Sequence, residues 1–216
     1  MRPSMSRRRA TVWSLLPIFL VIGLSLASCN EEDQGGGGPG GPQFTAEELN
    51  TMGWDDFALG SYRTAAESFE AALALEGGFQ EARLGLGWAY AYRGRYDDAI
   101  SAFDVILGGS YATDAYAGLA AAALPTHPDL AIGAAEDALD RNATYAFARR
   151  TSYDYQDLHL ILAEANFALA QYAAAQTEVD NLNPQNGLDP QAPDYLPALS
   201  AEIERLSALL ASDLPD

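Results

Sequence analysis

The chain has 216 residues, with 30 acidic side chains against 12 arginines, no lysine and a formal net charge of −18. Such a charge excludes a binder of nucleic acid or of an anionic surface that works through a cationic patch. Its one cysteine, Cys29, excludes a disulfide framework, so packing alone must hold the fold.

Residues 1–28 read as an export signal. Arg2, Arg7, Arg8 and Arg9 form a positive start, and the apolar run "TVWSLLPIFLVIGLSLA" is broken by Pro17 and too short for a spanning helix. The signal ends in "LASC", with small residues at Ala27 and Ser28 directly before the thiol. This resembles the lipobox of bacterial lipoproteins. The resemblance implies cleavage before Cys29, acylation of its sulfur and retention on a membrane of the bacterial cell envelope. Asn30, where a retention signal would place aspartate, implies the outer membrane under the enterobacterial sorting rule. Losing the signal removes four arginines and no acid, which leaves 8 basic against 30 acidic residues, a net charge of −22. Residues 29–43 then form the lipidated cysteine and a Gly/Pro-rich tether, "NEEDQGGGGPGGPQ", with a span on the order of 20 Å for about 14 residues.

From residue 44 onward the composition is helical: alanine is abundant and no stretch alternates with a period of two. Thr45 and Glu48, three apart in "TAEELNTMGW", predict a capping box and a helix start. The stretch "GSYRTAAESF" at residues 60–69 returns as "GRYDDAISAF" at residues 94–103, a spacing of 34, and the match extends upstream through Gly53 with Gly87 and Trp54 with Trp88. Glycine inside a helix costs roughly 1 kcal/mol, so Gly53 and Gly87 predict close helix contact, with Ala65 and Ala99 as small partners. Tyr62, Tyr96, Phe69 and Phe103 are expected between neighbouring copies.

These residues at this period resemble the tetratricopeptide repeat. The resemblance implies an all-α fold, a right-handed superhelical α-solenoid of helix–turn–helix repeats. Repeats are expected at about 46–79, 80–112, 113–140 and 156–185, with a C-terminal capping helix at about 194–211. Residues 44–216 thus form one domain after the signal at 1–28 and the tether at 29–43. The third unit is degenerate, with "PTHP" at its turn and Ala135 at an aromatic position. Between the third and fourth units lies "RNATYAFARRTSYDYQ", residues 141–156, which gathers Tyr145, Phe147, Arg149, Arg150, Tyr153 and Tyr155 and reads either as an irregular junction or as a docking element.

Catalytic and cofactor patterns are missing: no metal-binding His motif, nucleophile elbow, phosphate loop or spaced Cys/His set occurs. His127 sits in a proline turn and His159 at a helix start, and adjacent acids such as Asp97 and Asp98 point apart on a helix surface. The expectation is therefore a non-enzyme without metal or cofactor. The repeat resemblance implies a concave groove lined by the first helix of each pair. Residues matching groove positions are Glu47, Asn50, Trp54 and Phe57, then Glu81, Leu84, Trp88 and Tyr92, then Asp157, Leu160, Glu164 and Phe167. Trp54 and Trp88 make either an apolar interface strip or part of the core. The repeats lack the basic residues of a carboxylate clamp, so a basic or apolar protein or peptide of the envelope is the expected partner. Small tetratricopeptide lipoproteins of similar plan serve outer-membrane protein assembly, pilus secretin assembly or envelope maintenance. The alternative is a glycan- or nutrient-binding surface lipoprotein that stacks sugars on Trp54 and Trp88.

Overall fold

The Thr45 hydroxyl accepts the Glu48 backbone N–H at 3.1 Å, while the Glu48 carboxylate accepts the Thr45 N–H at 2.8 Å. This closed capping box starts α1, Ala46–Ala58. The computed structural model describes residues 44–150 and 152–212; the expected export signal at 1–28, Cys29 and the expected tether lie outside them. Among the described residues eight further helices follow: α2 Tyr62–Leu75, α3 Gln80–Tyr92, α4 Tyr96–Asp104, α5 Ala112–Ala123, α6 Pro128–Arg141, α7 Tyr155–Ala168, α8 Tyr172–Leu182 and α9 Tyr195–Ser212. The chain is an all-α solenoid of stacked helical pairs.

Each helix packs on its neighbours in sequence, and in addition α1 touches α3, α3 touches α5, α5 touches α7 and α7 touches α9. Among the described residues the even-numbered helices do not pack on one another. Helices that contact their own kind lie on the shorter arc of a curved stack, so the odd-numbered ones form its inner face.

Aromatic wedges set the spacing. Phe69 of α2 and Phe103 of α4 are fully buried. A Cβ placed on Gly53 would lie 2.6 Å from the Phe69 ring, and one on Gly85 would lie 2.3 Å from it. Phe103 repeats this between Gly87, at 2.6 Å, and Gly118, at 2.4 Å. One ring thus fills the gap made by a glycine of its own pair and a glycine of the next inner helix. The third pair packs on alanines instead: Ala120, Ala131, Ala135 and Ala138 are all fully buried.

Three pairs turn in the same way. Gly60 and Gly94 take φ of +72° and +70°, and Ser61 and Arg95 donate their N–H groups back to Asp56 and Tyr90 carbonyls. That is the glycine-closed helix end in which a left-handed residue lets the orphan carbonyls be capped. In the fourth pair Ala170 holds this position at φ +58°, with the Gln171 N–H on the Asn166 carbonyl. An alanine here carries roughly 1–2 kcal/mol of strain that glycine avoids. The array ends where Leu199, Ile203 and Leu206 of α9 bury themselves with Leu160, Ala163, Ala175 and Val179.

Candidate functional site

The described residues between α6 and α7, 142–150 and 152–154, fold back over the inner face. Main-chain hydrogen bonds from Phe147 to Tyr153 and from Tyr155 to Tyr145, at 2.9 and 2.8 Å, close them into an irregular hairpin with one isolated bridge, Ala146 to Asp154. From α6 it reaches first across α5, where the Tyr145 hydroxyl donates to Asp114 at 3.0 Å and the Tyr153 hydroxyl to the Ala117 carbonyl at 3.0 Å. It then reaches α3 and α1. Phe147 stacks on Trp88 with centroids 4.9 Å apart and meets Trp54 edge-on at 6.2 Å. Tyr153 sits edge-on to Trp88 at 5.0 Å. The Arg149 guanidinium pairs with Glu81 and lies 4.8 Å over the Trp54 ring. Arg150 lies 4.7 Å over Tyr92 and donates to the Tyr62 hydroxyl at 3.2 Å.

Trp54, Phe57, Leu84, Trp88 and Asn50 are buried, the indoles at 5% and 2% exposure. Glu47 is exposed, Tyr92 is 37% exposed, and Glu81 is half-buried in its ion pair. Glu164 belongs to a separate cleft between α7 and α9, with Phe167, Ile203 and Ser207 on its walls. The expected groove lacks the basic residues of a carboxylate clamp, and none of the eight groove positions on α1 and α3 is basic. Two arginines nevertheless enter the inner face, carried there by the connection.

The hairpin covers the indoles without satisfying them. Trp54 Nε1, Trp88 Nε1 and Asn50 Oδ1 are buried and have no hydrogen-bond partner. Groups left in this way cost about 1–3 kcal/mol each. Beside the hairpin lies a cleft of about 940 Å³, walled by Phe57, Tyr62, Arg149, Arg150, Ser152 and Asp157 among others.

Burial also sets the electrostatics. It raises the carboxyls of Asp114 and Glu164, against hydrogen bonds from Tyr145 and Ser207 that favour the charged forms. Asp157, third residue of a capping box opened by Asp154, is pushed by burial up to about 6, although the Asp154 N–H donated at 2.7 Å opposes the shift. Burial raises the Tyr153 and Tyr145 hydroxyls as well. For Asp157, whose pKa rises on folding, the stabilising proton is fully present below the unfolded value of 3.8 and is lost as the pH climbs through about 6. The urea midpoint is accordingly expected to fall between about pH 4 and pH 7. Asp157→Asn should remove on the order of 1 kcal/mol of that fall, allowing for solvent screening of a half-buried group. An identical pH slope in the variant would contradict this. The lowered Glu202 carboxyl, held down by Arg205, works in the opposite direction in both proteins and cancels from the comparison.

Among the described residues no cluster of three or more His, Cys, Asp or Glu is placed to hold a metal ion. No described helix is long and apolar enough to cross a membrane. His127 bonds to Thr126, and His159 faces Glu178 at 2.7 Å.

Stacked pairs with a continuous inner face define the class, an α-helical repeat solenoid. More particularly, residues 50–120 match the tetratricopeptide repeat family. Three solved structures are similar. PilW, a widely conserved type IV pilus biogenesis factor, is 19% identical with a TM-score of 0.54, over 72% of this chain and 67% of that one. A thermophilic tetratricopeptide repeat protein of Thermus thermophilus is 18% identical with a TM-score of 0.54, over 80% and 93%. A tetratricopeptide repeat protein of Parabacteroides merdae is 19% identical with a TM-score of 0.53, over 78% and 66%. The chain spans about two thirds of the length of the first and third. At such identities the likeness is one of fold. No curated protein matches the chain in sequence.

Proposed function

We propose that this chain is a non-enzymatic adaptor of the bacterial cell envelope, tethered to the outer membrane through lipidated Cys29, whose helical array binds another protein. The observation that carries this reading is the array itself: repeat-matched residues 50–120 build stacked pairs whose inner helices form one continuous face. Solenoids of this kind present extended concave surfaces to partners. The "LASC" motif supports the anchor, and the tether at 30–43 gives the array reach above the headgroups. PilW, a pilus biogenesis factor with a similar fold, makes an envelope role a natural choice. The glycan alternative has less support, because sugar stacking needs open indole faces and those of Trp54 and Trp88 are covered.

A photo-crosslinking residue introduced in living cells at Tyr92, and separately at exposed Arg63 on α2, tests the adaptor reading. A discrete adduct with one envelope protein from either face is expected. No adduct from any exposed position of the array would sink the adaptor. Cys29→Ser, expected to release the protein from the membrane fraction, tests the anchor separately.

A further inference from the structure

We propose that the hairpin at 142–154 is a built-in stand-in for the partner: the inner face of α1, α3 and α5 receives an extended protein segment bearing an aromatic side chain two residues before an arginine, and such a segment displaces the hairpin. This rests on the adaptor reading and names the chemistry of its partner.

The chemistry of the slot is written by its present occupant. Phe147 fills a gap walled by two indoles and is 1% exposed. Arg149 answers a carboxylate and an indole face, and Arg150 a phenol face and a phenol oxygen. Charge points the same way. In a chain this acidic, the inner face offers Glu81, Asp114 and Asp157, and a cationic segment is attracted where an acidic one is repelled.

The way the hairpin is held makes it replaceable. Thirteen residues join α6 to α7, where four, residues 76–79, suffice between α2 and α3. Among the described residues, all main-chain hydrogen bonds of the hairpin run within itself or to the adjoining ends of α6 and α7. It grips the inner face by side chains only. On α1 and α3 two indole N–H donors and the side-chain carbonyl oxygen of Asn50 are buried and unpaired. A segment that reproduces the aromatic and cationic contacts and also pairs any of these atoms binds the face better than the hairpin does.

The probe is a labelled peptide of sequence TYAFARR, copied from residues 144–150, and binding is read by fluorescence anisotropy on the full chain. A resident hairpin taxes a competing ligand by the fraction of time the face is open. The variant Phe147→Ser, Arg149→Ser, Arg150→Ser is therefore expected to bind the peptide about ten-fold more tightly than the wild type, or better. A peptide with alanine for phenylalanine should lose binding to it, and so should Glu81→Gln added to the variant. Equal affinity for wild type and variant, or no binding to a variant whose circular dichroism matches the wild type, overturns the proposal. Should the triple variant fail to fold, Arg149→Ser with Arg150→Ser leaves the aromatic packing in place. Its amides at 145–153 should exchange about ten-fold faster, with tighter peptide binding, and unchanged exchange together with unchanged affinity overturns the idea equally. A peptide that fails while Arg63 still crosslinks to an envelope protein removes the hairpin claim and leaves the adaptor standing.

Discussion

Phe103→Ala should cost about 4 kcal/mol of unfolding free energy, and Gly87→Ala, which destabilises the wild type, should stabilise that variant. The ring of Phe103 is fully buried and lies between Gly87 and Gly118, so truncating it opens a gap across two helical pairs that helix backbones cannot close by small shifts. Gly87→Ala alone gains about 1 kcal/mol in helix propensity. Its new Cβ, however, would lie 2.6 Å from the ring, and overpacking of this kind costs about 1–3 kcal/mol or more. Overpacking wins, for a net loss of about 1–2 kcal/mol. Once the ring is gone the propensity gain stands unopposed and the methyl partly fills the hole. The coupling in the double-mutant cycle should reach about 2–3 kcal/mol. Additive costs in urea unfolding would mean that ring and glycine do not share one space.

The protein has already made this exchange once. In the third pair Ala120 takes the place of Gly53 and Gly87, and Ala135 the place of Phe69 and Phe103; both alanines are fully buried. Losing the ring is matched by a gained methyl, which is why a unit that reads as degenerate still stacks.

The same contrast separates what the sequence discloses from what it conceals. Gly53, Gly87, Phe69 and Phe103 are legible because each has a copy 34 residues away, and a repeated small residue with a repeated ring has a packing meaning. Gly85 and Gly118 do equal work against the same two rings but stand 33 residues apart, out of step with the period, so an alignment at 34 misses them. Placement of the hairpin is harder still. Arg149 and Glu81 are 68 residues apart and occur once, so no periodicity announces the pair. The clustering of aromatics with arginines in "TYAFARR" marks the segment as unusual. Its destination becomes visible only when an acidic inner face with two indoles is seen to lack any other cover.

Trp88→Ala should cost about 5 kcal/mol, more than Phe147→Ala at about 3 kcal/mol, and the two should not add. Trp88 serves both structures. On one side its ring meets Phe103 edge-on at 5.7 Å inside the array, and on the other it meets Phe147 and Tyr153 of the hairpin at 4.9 and 5.0 Å. The ring contacts of Phe147 are with the two indoles, so its loss loosens the hairpin and leaves the stacked pairs intact. Deleting Trp88 removes a wall of the array together with the seat of the hairpin, and a second deletion at Phe147 then has little left to take. The double variant should lie about 1–2 kcal/mol above the sum of the separate losses in stability. Amide exchange distinguishes the single variants: Phe147→Ala should open 145–153 alone, whereas Trp88→Ala should open α3 and α4 with it. If Trp88→Ala proves no more costly than Phe147→Ala, the indole is held by the hairpin and not by the repeats. Trp88→Ala is for this reason a poor probe of partner binding, since any loss of a partner would report the array coming apart, and Glu81→Gln, at a half-buried ion pair, is the cleaner choice.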